Sequence, residues 1–256
     1  MKNIVYVLLG AIVVSFIVWV CLRKKKEDYK ALPTVFLTKS QTAHFLLSDP
    51  DGFGKSLNKV NLEANGVVNH KDLIDKWTTS AAAWKPEEIQ KLQDAAQIVD
   101  YNINTHLQDP FKSQLNDISW QFAKTIAPYY LDGLPHTRAD IIFLTDRDIG
   151  LASVEKLSKI LLHEKIHVWE RKHPEEIGGW IERKGFKKIK RISEDGLQRQ
   201  NPDIDDFIYE DAKGKICGVR FKNANPRDLH DIQSNYDSSC DHPYEQFAYG
   251  MERYIK

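Results

Sequence analysis

The stretch from residue 152 to residue 172 constrains the fold most strongly, because its apolar residues recur with the period of an α-helix. One stripe of this helix collects the aliphatic residues Leu157, Ile160, Leu161 and Val168. The five-residue motif from His163 to His167 lies inside the same stretch. Side chains four residues apart share one face of a helix, so these two histidines can present their imidazoles to a single ion.

Glu164 follows the first histidine directly, which places its carboxylate beside such an ion without making it a ligand. Two neutral imidazoles suit Zn²⁺, and a neighbouring carboxylate can take a proton from the water that zinc activates and return it to a leaving amine. The motif therefore predicts a zinc-dependent hydrolase site with Glu164 as the catalytic acid and base. The simpler alternative is a surface helix whose histidines meet solvent. Apolar neighbours favour a shielded site, namely Leu161, Leu162, Ile166 and Val168.

The spacing of His163, Glu164 and His167 resembles that of the HExxH zinc peptidases, the zincins. This resemblance implies a third metal ligand, for which there are two candidates. The first is His173, at the three-histidine spacing of the metzincins. Glu170, however, stands where that family has the glycine that lets the chain leave the helix. With Glu170 the helix should continue and turn His173 away from the direction of His167.

The second and preferred candidate is Glu245. The sequence from His242 to Tyr249, His-Pro-Tyr-Glu-Gln-Phe-Ala-Tyr, looks like the downstream helix of the gluzincins, especially the Glu-x-Phe-Ala form of lethal-factor-like peptidases. In that group the glutamate completes a site of two histidines and one glutamate. A helix is expected here from Pro243 to about Tyr254, and the alternative for Glu245 is a solvent-facing position on it.

The resemblance also implies roles for residues around the metal. A peptidase needs an electrophile for the oxyanion, which is expected from Tyr236, His242 or Tyr249, with Tyr236 preferred. Related sites often have a carboxylate one turn after the glutamate to orient a histidine, and Tyr249 stands at that position. Its hydroxyl is one candidate for this role, and the others are Asp203, Asp205 and Asp237. Lys165 brings a charge into the motif and is expected to point to solvent or to an acidic group of the substrate.

Residues 3–22 contain no charged side chain, and about 20 apolar residues suffice for a helix to cross a bilayer. The run ends in Trp-Val-Cys-Leu rather than in a small-residue cleavage site, which favours an uncleaved anchor over a signal peptide. Arg23 and three lysines follow it. By the positive-inside rule, they predict a single-pass membrane protein whose carboxy-terminal domain is cytosolic and whose partner at residues 3–22 is the lipid bilayer.

The expected fold is α+β, with an N-terminal transmembrane helix followed by a mainly helical zincin-like domain with a small β-sheet. The expected parts are an anchor with a basic flank at 1–26, a loop-rich lead-in at 27–85 and the zincin-like domain at 86–256. Helices are predicted from Pro86 and over 112–130, and a hairpin from 207–210 and 216–221. A strand is predicted over 139–145. The resemblance implies that it lines the cleft and pairs with an extended substrate, and the alternative is an ordinary core strand.

Charge and cysteine content limit the remaining possibilities. The 36 basic and 36 acidic side chains give a formal net charge of +0, so nucleic-acid binding through bulk positive charge is not expected. The basic stretch at 184–191 is interpreted as a solvated face. Three cysteines provide neither a disulfide framework nor the spacing of a cysteine-based zinc site.

These features predict a membrane-anchored, Zn²⁺-dependent metallopeptidase of gluzincin type with a protein or peptide substrate. The alternative is a catalytically inactive zincin-fold protein with a structural or interaction role in a membrane or viral envelope. Lys165 and the absence of a carboxylate one turn after Glu245 favour that alternative. In a third hypothesis the histidines bind no metal.

Overall fold

The computed structural model describes residues 33–233 and 241–255, and Pro33–Lys256 forms one compact unit. The helices of the described part are α1 Lys39–Ser48, α2 Phe53–Ser56, α3 Lys59–Ala64, α4 His70–Thr79, α5 Pro86–His106, α6 Phe111–Asn116, α7 Asp146–Leu151, α8 Val154–Lys172, α9 Pro174–Arg183 and α10 Pro243–Glu252. The strands are β1 Thr34–Phe36, β2 Trp120–Thr125, β3 His136–Arg138, β4 Ile141–Thr145, β5 Lys187–Arg191, β6 Phe207–Glu210 and β7 Ile216–Cys217. Short 3₁₀ turns occur at Leu131–Gly133 and Ile192–Glu194.

Strands β2 and β4 form the centre of the first sheet, whose order is β1-β2-β4-β3. The pairs β1–β2 and β2–β4 are parallel, and β3 is antiparallel to β4. Nearly every residue of β2 and β4 is buried, as expected for parallel strands that are covered on both faces. The strand predicted over 139–145 is confirmed as β4. Because β4 is paired along both edges, the expectation that it pairs with a substrate backbone is wrong.

Helix α8, which carries the histidine motif, is the central helix of the unit. Its first turn begins where the Ser153 hydroxyl accepts a hydrogen bond from the backbone N–H of Lys156, and basic Arg171 and Lys172 lie in its last turn. The helix packs against α5 on one side and α10 on another. Every residue from Leu161 to Glu170 is therefore buried. The predicted helix is confirmed, and the motif lies in the interior.

The second sheet has the order β5-β6-β7 and is antiparallel throughout. Strands β6 and β7 confirm the predicted hairpin. The basic stretch at 184–191 contains β5, whose long side chains are exposed and face acidic residues. The ion pairs are Lys188 with Asp205 at 3.1 Å, Lys190 with Asp195 at 3.3 Å and Arg191 with Asp206 at 3.2 Å. The acidic partners and the exposure of β5 agree with the interpretation of this stretch as a solvated face.

The expected loop-rich lead-in at 27–85 needs correction from residue 33 onward, because this region contains β1 and helices α1 to α4. Leu73 and Trp77, four residues apart on α4, are fully buried in the core, as is Leu46 of α1. The helix starts have clear signals, since Thr38, Asn58 and Asn69 each accept a hydrogen bond from the first turn of a helix. This region is thus part of the domain core.

The helix expected over 112–130 is also wrong. Helix α6 ends at Asn116, and the chain then enters β2 at Trp120. The apolar residues of this stretch fit a helical period. However, Trp120 and Phe122 are aromatic residues suited to a strand, and β2 pairs with both β1 and β4. The sheet partners decide the conformation, and local periodicity does not reveal them.

The transmembrane helix of the expected fold class is corrected as well. Within residues 33–233 and 241–255, no helix is long and apolar enough to cross a membrane. The two longest helices, α5 and α8, carry charged side chains along their length, and such groups are costly to place in hydrocarbon. The span predicted at residues 3–22 lies outside the described residues. The described fold is α+β, with helices packed around two small sheets.

Candidate metal centre

Three side chains from two helices converge in the interior. His163 and His167 lie one turn apart on α8, and Glu245 lies in the first turn of α10. The two Nε2 atoms are 3.0 Å apart, and Glu245 Oε2 is 3.2 Å from Nε2 of His163 and 3.8 Å from Nε2 of His167. Donor atoms at about 2.0–2.1 Å from one tetrahedral ion stand about 3.3 Å apart. This buried group can therefore hold a metal ion.

Two carboxylates orient the imidazoles. Nδ1 of His163 donates to Glu252 over 3.0 Å, and Nδ1 of His167 donates to Glu170 over 2.7 Å. A carboxylate only accepts, so each Nδ1 carries the proton and each Nε2 turns its lone pair inward. Two lone pairs at 3.0 Å repel each other unless a proton or a metal cation lies between them. The two lone pairs that face each other are thus arranged to bind a cation.

Protons compete for the same place. Burial disfavours a charge on His163, but hydrogen bonds to Glu245 and Glu252 outweigh this effect and raise its pKa to about 9. Burial likewise opposes a charge on His167, yet Glu170 and Glu245 raise its pKa well above the ordinary value. A metal ion that enters this site must therefore displace protons, which makes its affinity increase with pH.

Glu164 lies beside His163, His167 and Glu245 and is only 3% exposed. Its Oε2 atom has no hydrogen-bond partner within the described residues. Burial, and next the charge of Asp203, raise the pKa of this carboxyl to about 8. A cation on the neighbouring ligands would lower the pKa again. Glu164 is thus a carboxyl group that can gain and lose a proton near neutral pH.

A cavity of about 560 Å³ opens onto His163, Glu164 and Glu245. One wall is the chain segment from Gln198 to Ile204, which lies between β5 and β6. Much of the remaining lining is aliphatic and comes from Leu131, Leu134, Ile160, Val219, Leu229 and Ile232. A cavity of this volume accommodates a small ligand or a few side chains.

The structure brings Glu245, and not His173, to the two imidazoles. Helix α8 continues through Glu170 to Lys172, as the absence of a glycine at 170 predicts. His173 follows the helix end, where its ring stacks on Trp169 and its Nδ1 lies 3.4 Å from Glu176. It therefore lies apart from the metal-binding group.

The remaining expected site residues have mixed outcomes. Tyr249 lines the cavity with its ring 4.5 Å from the ring of His163, but Glu252 makes the orienting hydrogen bond expected of Tyr249. His242 also lines the cavity. Its Nδ1 accepts from the backbone of Tyr244 at the start of α10, and its Nε2 donates to the carbonyl of Phe207. Tyr236 and Asp237 lie outside the described residues.

Lys165 does not point to solvent or to the cavity, so this expectation is wrong. Its side chain is fully buried, and Nζ donates to the carbonyl oxygen of Ile118 over 2.6 Å. The ammonium also lies 4.1 Å from the ring centroid of Trp120, and burial lowers its pKa to about 8. Helix α8 is covered on all sides from Leu161 to Glu170, so a residue between the two histidines in sequence must face other core elements.

The orienting carboxylates Glu170 and Glu252 were missed at the sequence level. The sequence spacing could have indicated both, because Glu170 lies three residues after His167 and Glu252 lies two turns after Glu245, each on the same helix face as its neighbour. Of the three aspartates proposed for this role, Asp203 and Asp205 bond elsewhere, to Thr137 and to Tyr209.

Comparisons with protein-family models, with curated proteins and with solved structures give no match to this chain. Function must therefore be argued from the chemistry of the site.

Proposed function

We propose that this chain is a metal-dependent hydrolase and, more particularly, a zinc metallopeptidase of gluzincin type. The convergence of His163, His167 and Glu245 beside the buried carboxyl of Glu164 carries this proposal. Two imidazoles and one carboxylate are a donor set of catalytic zinc sites, which leave a further position open for water or substrate. The carboxylates on both Nδ1 atoms add the outer hydrogen bonds typical of zinc-bound histidines.

The roles of the chain's own groups follow from their positions. When bound, zinc supplies Lewis acidity that polarises a carbonyl group and favours the ionisation of water. Glu164 takes the proton from the attacking water and delivers it to the leaving amine. Glu170 and Glu252 keep the two imidazoles oriented throughout. The aliphatic part of the cavity binds apolar side chains of a protein or peptide substrate.

Lys165 and the absence of a carboxylate one turn after Glu245 favour the alternative of an inactive zincin-fold protein when only the sequence is considered. The structure offers another explanation for each. Lys165 bonds to Ile118 in the core and brings no charge into the cavity. Glu252 and Glu170 supply the orienting carboxylates that appeared to be missing. The hydrolase is therefore the function that we retain.

The test compares zinc content and peptide cleavage in the full-length protein and in Glu164→Gln. The proposal predicts about one zinc per chain in both proteins, cleavage of a diverse peptide library by the unaltered protein, and loss of cleavage in the variant. Glu155→Gln is the matched control, because Glu155 lies on the same helix with an exposed side chain. Zinc binding without any cleavage would favour the inactive alternative, and absence of zinc would refute both.

A further inference from the structure

Asn201 is joined directly to the third ligand. Its Nδ2 atom donates a hydrogen bond to Glu245 Oε1 over 2.6 Å. Its Oδ1 atom accepts from the backbone N–H of Asp203 over 3.0 Å. The second bond fixes which end of the amide is the oxygen, so the donor end must face Glu245. One oxygen of the glutamate is thereby engaged, and Oε2 is the oxygen that faces the imidazoles.

The chain around Asn201 is itself tied to the motif helix. Asp203 Oδ1 accepts from both the backbone N–H and the hydroxyl of Thr137, over 2.6 and 2.8 Å. Arg171, four residues after His167 on α8, donates to the carbonyl of Pro202 over 2.7 Å and to that of Thr137 over 2.9 Å. The outer edge of β3 at Thr137 is thus occupied, and residues 201–203 are fixed relative to both strand and helix.

We propose that Asn201 is a positioning residue that holds Glu245 as a one-oxygen metal ligand. This inference rests on the proposed metal centre. On this proposal the segment between β5 and β6 supplies the amide donor that keeps the Glu245 side chain from rotating away from the two imidazoles. A buried carboxylate oxygen without a donor is costly, so loss of the amide would let Glu245 seek another partner and weaken the site.

The experiment measures zinc affinity of the full-length protein by competition with a chromophoric chelator. Asn201→Ala removes the donor, and Asn201→Asp keeps the shape but sets a second carboxylate against Glu245. We expect Asn201→Ala to bind zinc about 10- to 100-fold more weakly, and Asn201→Asp at least as weakly. Asn225→Ala, at an exposed loop position, is the matched control and should keep full affinity. Unaltered affinity in both Asn201 variants would overturn the proposal.

A double-mutant cycle separates positioning from a general structural role. If Asn201 acts through Glu245, then Asn201→Ala should cause no further loss of the weak zinc affinity that the two imidazoles keep in a Glu245→Ala background, measured at high zinc concentration. An equal loss in both backgrounds would overturn the positioning role. The visible spectrum of bound Co²⁺ gives a second readout, which should change in Asn201→Ala and stay unchanged in Asn225→Ala. An identical Co²⁺ spectrum in Asn201→Ala would contradict the proposal.

The possible failures are distinguishable. Asn201→Ser adds a smaller polar variant, and unfolding of all three Asn201 variants would assign this residue to fold stability and overturn its role at the metal. Zinc binding with the expected Asn201 effect but without peptide cleavage would refute the proposed hydrolase and leave the positioning role intact. Absence of zinc binding by the unaltered protein would overturn both.

Discussion

His167 donates a hydrogen bond from Nδ1 to Glu170, three residues further along the same helix, over 2.7 Å. Both side chains are fully buried. The bond gives the glutamate at position 170 a structural role that a glycine could not have. Glu170 fixes the tautomer of His167, and the helix that continues through Glu170 places His173 apart from the two imidazoles.

Replacement of this carboxylate should weaken the metal centre. Glu170→Gln removes the charge that supports the Nδ1 proton of His167, and we expect zinc affinity to fall about 10- to 100-fold. Competition with a chromophoric chelator measures it. Glu176→Gln, which alters a half-exposed carboxylate beyond the helix end, is the control. Equal affinity of Glu170→Gln and the unaltered protein would mean that the bond does not support the site.

Lys165 should matter for stability and not for chemistry. Lys165→Met leaves the carbonyl of Ile118 without its donor, so the free energy of unfolding should fall by about 1–3 kcal/mol. Zinc affinity and peptide cleavage at 25 °C should stay within about twofold of the unaltered protein, because a twofold change corresponds to less than 1 kcal/mol. Denaturant unfolding measures the change in stability, and chelator competition and a peptide-cleavage assay measure zinc affinity and activity. A selective loss of cleavage with stability unchanged would restore a role for Lys165 toward substrate.

Stability should depend on pH through His136. Burial lowers the pKa of this histidine to about 4, below the value of about 6.5 that an unfolded chain gives it. The unfolded state therefore takes up the proton first. This contribution to stability is fully present above about pH 6.5 and is lost as the pH falls through 4, up to roughly 3 kcal/mol.

The test compares the free energy of unfolding at pH 7 and pH 4.5 for the unaltered protein and for His136→Asn. An amide can still donate to the carbonyl of Leu134, which accepts from His136 Nδ1 over 2.8 Å, but it does not titrate. The variant should lose less stability on acidification than the unaltered protein does. His44→Asn controls for the removal of an exposed histidine. Identical acid sensitivity of all three proteins would exclude His136 as the source.

The segment from residue 33 to residue 85 should be indispensable to the domain. Arg138 of β3 is fully buried and forms ion pairs with Asp49 and Asp51, which lie between α1 and α2. Arg138→Met leaves buried Asp49 without a counter-charge and should cost about 3–5 kcal/mol of unfolding free energy. Arg183→Met, at an exposed position of α9, should cost less than about 0.5 kcal/mol. A small effect at Arg138 would argue that the early segment is only loosely attached.

The sequence predicts the structure best where the relevant residues lie close together on one helix. The motif helix, the start of α10 at Pro243 and the convergence of His163, His167 and Glu245 all follow from helical spacing together with the family resemblance. These features depend on residues close in sequence, and a helix fixes the relative directions of such residues.

Features that depend on distant partners could not be predicted in this way. Trp120 joins a strand because β1 and β4 flank it, and Lys165 is buried because α8 is covered on every side from Leu161 to Glu170. The bond from Asn201 to Glu245 joins residues 44 positions apart. Hydrophobic periodicity shows which face of an element is buried, but it does not show what covers that face.

The most direct measurement is the zinc stoichiometry of the full-length protein and of two single variants, Glu245→Ala and His173→Ala, after dialysis against metal-free buffer. The prediction is about one zinc per chain in the unaltered protein and in His173→Ala, and loss of zinc in Glu245→Ala. Loss of zinc in His173→Ala with retention in Glu245→Ala, or an unaltered protein that binds none, would contradict the proposed metal centre.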